Sequence, residues 1–323
     1  MDADEFQLVR DMFRTFAGRF GVAAADVATA DRADAQKALD ALGLDELRRG
    51  LPPAAAVQDC ALLAEEHGKQ PLCTSLLGTG LLAPELLRLL GSSAVPGGKP
   101  TVAFARDLRF PSGDTDEFAA WDCEGADVAL CIAADGTVSV GALGVESPSA
   151  DLLRPVRHVV DDTEPHILGR LDTDAHARWQ AFALVMVCGE LTGAAASFLD
   201  QAVDYAGDRR QYGRPIGSFQ SVQHVLADAA VLVEACVSAT RYAAWCLDHE
   251  SPRVALTAAR VAKAEANSSA RDVVYAGMQV FGGIAQTWEH AAHLYLRKVL
   301  AGAGLLATTA DLLTILAAPE ADR

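Results

Sequence analysis

Apolar side chains recur at three- and four-residue intervals over most of the chain, which predicts helices. Phe6, Val9, Phe13, Phe16, Ala17 and Phe20 place an aromatic stripe on one face of a first helix. A second helix is predicted over Ala54–His67, ending near Gly68, and a third over Leu72–Leu90, restarting near Pro84 and ending at Gly91. The stretch from Ser92 to Pro100 is rich in turn formers and breaks the pattern. Short apolar and β-branched runs follow at Thr101–Ala105, Val128–Ile132, Thr137–Val140 and Val156–Val160, with Asp135-Gly136 as a hairpin signal between two of them. Helical spacing then returns. His176–Ala206 is apolar nearly all round, which predicts burial on several sides. Phe219–His249 repeats apolar residues at three and four, and would be about 46 Å long at 1.5 Å per residue. Val254–Val280, Trp288–Leu300 and a stretch to Ala317 complete the set. The expected fold is mainly α: an N-terminal helical domain (1–95), a reduced β domain (96–170) and a C-terminal antiparallel four-helix bundle (171–323).

Composition narrows the function. The chain has 323 residues, 51% hydrophobic and 22% charged, enough to bury a core without staples. A net charge of −16 argues against nucleic acid and against docking on an anionic membrane. Apolar stretches such as Ala181–Cys188 are too short to span a membrane, and the acidic start lacks a signal-peptide pattern, so the cytoplasm is the expected compartment. Seven cysteines without a CxxC pair indicate neither a disulfide framework nor a zinc knuckle. His290 and His293 have no Glu-x-x-His or H-E-x-x-H context, so no metal is expected.

Two segments carry chemistry. Asp208-Arg209-Arg210-Gln211-Tyr212-Gly213-Arg214-Pro215-Ile216-Gly217-Ser218-Phe219-Gln220 is a basic island between two long helices of an acidic protein. Guanidinium forks suit phosphate oxygens and an aromatic ring suits a flat base, although a solvated inter-helix turn reads equally well from these residues alone. Gln279-Val280-Phe281-Gly282-Gly283-Ile284-Ala285 puts paired glycines at a helix end, which is either an ordinary C-cap or a place where backbone approaches a ligand.

Together the two segments resemble the acyl-CoA dehydrogenase family, in which an R-x-x-F/Y-G-x-x-I-x-x-x-Q loop and a Q-x-x-G-G turn hold the FAD of a neighbouring subunit. The resemblance covers nearly the whole chain in outline and is sharpest over 205–298. It implies that Arg209 contacts the FAD diphosphate, that Tyr212 and Gln220 line its adenosine end, and that Gln279, Gly282 and Gly283 pack on another part of it. The run from Thr287 to His290 and from His293 to Arg297 resembles actinobacterial members acting on steroid or other bulky acyl-CoA thioesters.

The resemblance is incomplete. The family's reaction needs a carboxylate to take the α-proton while the β-hydrogen leaves as hydride to the flavin. The usual Glu position falls near Leu306, and no Glu occurs from His290 to Pro319. The alternative position falls near Ala183, and from Leu171 to Gly189 the only acids are Asp172 and Asp174. The T-E-P…G-S-D loop and W-I-T/S strand that hold the flavin ring are missing, and Thr163-Glu164-Pro165 matches the first by chance. Such a chain resembles the base-lacking subunit of an α2β2 member. The implied function is oxidoreductase, as a subunit that completes the FAD site of a second acyl-CoA dehydrogenase subunit acting on an acyl-CoA, with electron-transfer flavoprotein as acceptor. Glu190, on the helix face of Ala183, is a candidate displaced base; its plainer role is a buried hydrogen-bonded acid. Two alternatives stay open: a partner that only stabilises, and a homomeric enzyme of the same fold with dehydratase or other tailoring chemistry.

Overall fold

The computed structural model describes residues 3–92, 94–113, 117–160 and 166–318. Thr163-Glu164-Pro165 lies outside the described residues.

The N-terminal part holds α1 (Ala3–Phe20), α2 (Arg32–Asp40) and α3 (Val57–Gly68), then a π-helical turn (Leu76–Leu82) that runs into α4 (Ala83–Leu90). Pro84 stands in the first turn of α4, where its missing N–H costs nothing. Gly91 closes the helix in the left-handed conformation. The third predicted helix is thus shorter than expected: residues 72–75 are not helical.

The middle layer is a six-stranded sheet of β1 (Pro100–Ala105), β2 (Phe118–Trp121), β3 (Val128–Ile132), β4 (Thr137–Ser147), β5 (Val156–Val160) and β6 (His166–Arg170). The order is β3-β1-β2-β5-β4-β6, and β3 also pairs with β4, which closes five strands into a small barrel. β1 and β3 are parallel; the other pairs are antiparallel. Register shifts in β4 let one strand of 11 residues pair with three neighbours. Side-chain alternation divides the burial. Val102, Phe104, Leu130 and Ile132 face the main core, while the small Ala103, Ala120, Ala129 and Cys131 fill the barrel with Val159.

The C-terminal bundle consists of α5 (Thr173–Asp208), α6 (Gln220–His249), α7 (Pro252–Phe281) and α8 (Ala292–Gly304), followed by α9 (Thr309–Ala317). α5 is the central element, as its all-round apolar pattern predicted. It packs so closely on α3 that a Cβ added at Gly193 would meet the Glu65 carbonyl oxygen. This contact fixes the depth of Glu190, one turn earlier. All seven cysteines are reduced and buried.

One expectation needs correcting. By length and mean hydropathy two helices are apolar enough to cross a membrane: α5 at 1.7 and α6 at 1.4. The apolar window of α5 is 89% buried inside the bundle, but that of α6 is only 11% buried. α6 lies at the outside of the bundle, where Val231, Tyr242 and Trp245 are exposed among polar residues such as Gln223, His224, Asp228 and Glu234.

Candidate functional site

The basic island and the glycine pair emerge at one end of the bundle. α5 ends where the Arg209 N–H donates to the Tyr205 carbonyl. A two-residue hairpin follows: β7 (Arg210–Gln211) pairs with β8 (Arg214–Pro215), with Arg210 opposite Pro215 and Gln211 opposite Arg214. Its tip residues Tyr212 (φ 52°) and Gly213 (φ 78°) both have positive φ, as a tight hairpin of this kind requires. The chain returns to α5 where the Ile216 N–H donates to the Arg209 carbonyl at 2.7 Å, and α6 begins at Gln220. At the matching end of α7, Gly282 adopts φ 65° and ψ −141°, which favours glycine. The ring of Tyr205 packs on Phe281 at 4.8 Å, which ties the α5 and α7 ends together.

This geometry fits the nucleotide end of FAD. Arg209, Arg210 and Arg214 are exposed and, among the described residues, none forms an ion pair. Arg214 lies over the Phe219 ring at 4.1 Å, and Tyr212 is 92% exposed. Gln220 and Gln279 are also exposed. A Cβ added at Gly282 or Gly283 would meet nothing within 4 Å, so the glycine turn is an open surface. The six sequence-derived residues thus share one solvent-facing end, with cationic forks, an aromatic ring and accessible backbone.

The positions examined for a base read differently. Ala183 is fully buried on α5. Leu306 is 1% exposed and belongs to the main core. Glu190 is 4% exposed and paired with Arg154 in close contact; Lys298 Nζ and His67 Nδ1 each lie 3.7 Å from its carboxylate. Arg154 also donates to His67 Nδ1 at 3.1 Å and to the Thr74 carbonyl, and lies 3.4 Å from Asp122. His67 is held neutral, its pKa lowered by burial and by the cations Arg154 and Lys298. Its Nδ1 accepts from Arg154, so its proton is on Nε2 and is donated to Thr74 Oγ1 at 2.9 Å. Burial, then Arg154, lower the Lys298 amine to about 7, and burial raises the Asp122 carboxyl. Glu190 therefore serves as counter-ion to the buried Arg154, with the Lys298 amine beside it, and it would have to give up the Arg154 contact to accept a substrate proton.

Sequence reading missed this hub. Its members come from α3, the end of β2, the loop after β4, α5 and α8, and no local spacing links them.

One cleft reaches this hub and another lies apart from it. One, of about 660 Å³, lies between the sheet (Trp121, Val156, His158) and α8, and reaches Glu190 and Lys298. The other, of about 890 Å³, brings Arg170, Arg253, Arg260 and His176 together where α5 and α7 begin. Arg170 pairs with Asp135 at 3.3 Å, and burial lowers the pKa of Arg260. Among the described residues no group of three His, Cys, Asp or Glu is placed to hold a metal. His290 instead accepts from the Ala292 N–H, and His293 stacks on Trp288 at 4.4 Å.

Comparison with known proteins agrees with the fold. Residues 182–306 match the acyl-CoA dehydrogenase C-terminal domain, a range that contains both motifs. The acyl-CoA dehydrogenase IpdE2 of Mycobacterium tuberculosis is 30% identical over 261 residues, covering 79% of this chain and 75% of the relative. Among solved structures, the steroid ACAD Tcur3481-Tcur3483 (G363A variant) superposes with a TM-score of 0.80 at 20% identity, over 97% of this chain and 96% of that one. The ChsE4-ChsE5 complex from Mycobacterium tuberculosis gives 0.79 at 18% identity, with the same coverage. By this likeness in sequence and by its helix–sheet–bundle architecture, the chain belongs to the acyl-CoA dehydrogenase family.

Proposed function

We propose that this protein is the base-lacking subunit of a heteromeric acyl-CoA dehydrogenase, and that it completes the FAD site of a catalytic partner subunit. The observation that carries this reading is an asymmetry. Arg209, Tyr212, Gln220, Gln279, Gly282 and Gly283 are grouped and open to solvent, while Leu306 is buried where the base belongs and Glu190 is neutralised by Arg154 and Lys298. Arg209 reaches the diphosphate, Tyr212 and Gln220 the adenosine end, and the 279–283 turn another part of the cofactor. FAD, when bound, supplies the hydride acceptor; the proton-abstracting carboxylate comes from the partner. The exposed Val231, Tyr242 and Trp245 on the outer side of α6 support a second subunit lying over the bundle. That a fold neighbour is a steroid ACAD and another is a two-protein complex supports a bulky, steroid-type acyl-CoA and an α2β2 assembly. Electron-transfer flavoprotein is the proposed acceptor.

Arg209→Ala tests the reading. In the co-expressed complex it should weaken FAD retention roughly ten- to hundred-fold, the cost of one hydrogen bond to a charged group, without changing assembly. Unchanged FAD affinity would instead make the chain a stabilising partner only.

A further inference from the structure

Two non-glycine residues with left-handed backbone face each other where the sheet meets the bundle. Leu108, in the turn after β1, has φ 63°, and Leu306, after α8, has φ 68°. Each such residue is strained, so the pairing requires a reason. The Leu306 N–H donates to the Leu108 carbonyl and the Phe110 N–H donates to the Leu306 carbonyl, both at 2.9 Å. Outside this ladder, Arg109 approaches Asp311 at 3.4 Å.

The ladder stands between the cleft and the packed main core. Leu108, Arg109, Gly304 and Leu305 line the 660 Å³ cleft. Leu306 and Phe110 are not part of that lining. They turn inward, where Phe110 packs edge-on against Phe104 and Trp179 at 6.2 and 6.0 Å.

The two sides are held unequally. Behind the Leu306 side, Lys263 donates to the Gly302 carbonyl at 2.9 Å, and Asn267 donates to the Ala307 carbonyl at 3.2 Å. Both residues are buried on α7. The turn at 106–110 is held mainly by its own bonds, Leu108 N–H to Ala105 and Ala105 N–H to Arg109, and by the exposed pair of Arg106 with Glu117.

We propose that this ladder is a gate between the cleft and the aromatic interior, and that it opens by the 106–110 turn swinging off the braced 302–307 segment. Closed, it presents an apolar group in the cleft with a wall. Open, it exposes the Phe110 and Trp179 rings. The gate does not depend on which subunit supplies FAD.

Native-state hydrogen exchange on the full chain, alone and in the co-expressed complex, tests it. The Leu306 and Phe110 amides should exchange together, through one local opening, faster than the amides at the centre of α5. Arg109→Gln, which removes the exposed pair with Asp311 together with the pair to Asp107 inside the turn, should raise both rates about two- to five-fold, within the range for a surface ion pair, and leave α5 unchanged. Exchange of the two amides only at the rate of global unfolding, or at unrelated rates, would overturn the proposal.

Discussion

Glu190 is the residue on which the proposed division of labour turns. A carboxylate in the interior of a dehydrogenase fold invites a catalytic reading, but its neighbours decide its role. Paired with Arg154 and Lys298, it neutralises charges that burial makes costly. Glu190→Gln should therefore leave turnover of the assembled enzyme intact while lowering stability by about 3 kcal/mol, the cost of breaking a buried pair. Denaturant titration beside a turnover assay separates the two effects, and a collapse of turnover at preserved folding would return the base role to Glu190. Lys298 makes a second prediction. Its amine titrates near 7 in the folded chain instead of at the ordinary lysine value of 10.5. Between those values the unfolded chain binds more protons at this site, so its contribution to stability rises with pH across that window. Below about 7 the folded chain carries the full penalty of a buried cation. Lys298→Met should flatten the gain in stability between pH 7 and 9, as read by urea midpoints; an undiminished gain would show that Lys298 does not titrate there.

At the scale of elements, the glycine turn after α7 separates structure from function. Gly282 needs its positive φ, so Gly282→Ala should cost the lone chain about 1–2 kcal/mol through backbone strain. Gly283 has no positive φ, and the space beside it is open. Gly283→Ala should leave the melting temperature of the lone chain nearly unchanged yet weaken FAD retention in the complex, because the new methyl group projects where the cofactor would lie. Equal effects in both assays would place the cofactor elsewhere. These elements were legible in sequence because long helices declare themselves through many repeats of one spacing, and Asp135-Gly136 through the turn it permits. β2 and β6 went unread. Phe118–Trp121 has only four residues, and His166–Arg170 is mostly exposed, so neither shows an alternation to detect. α2 was missed for a related reason: it is short and polar, held by the Asp31 cap and by burial of Ala35 and Leu39. The Arg154 hub and the Leu108–Leu306 ladder were illegible because their members meet only once the sheet docks on the bundle.

The whole molecule is a fold with two of its surfaces unfinished. One is the outer side of α6, where Val231, Tyr242 and Trp245 are exposed; the other is the cationic end formed by the 209–220 hairpin and the 279–283 turn. In the proposed reading each meets a neighbouring subunit, and the buried Leu306 and occupied Glu190 leave the carboxylate to that neighbour. The account is tested most directly by the mass and visible flavin spectrum of the chain purified alone and with its co-expressed partner. It predicts little flavin in the lone chain, and in the complex one FAD for each pair of unlike subunits. A lone chain that retains one FAD per copy, with dehydrogenase activity, would contradict it.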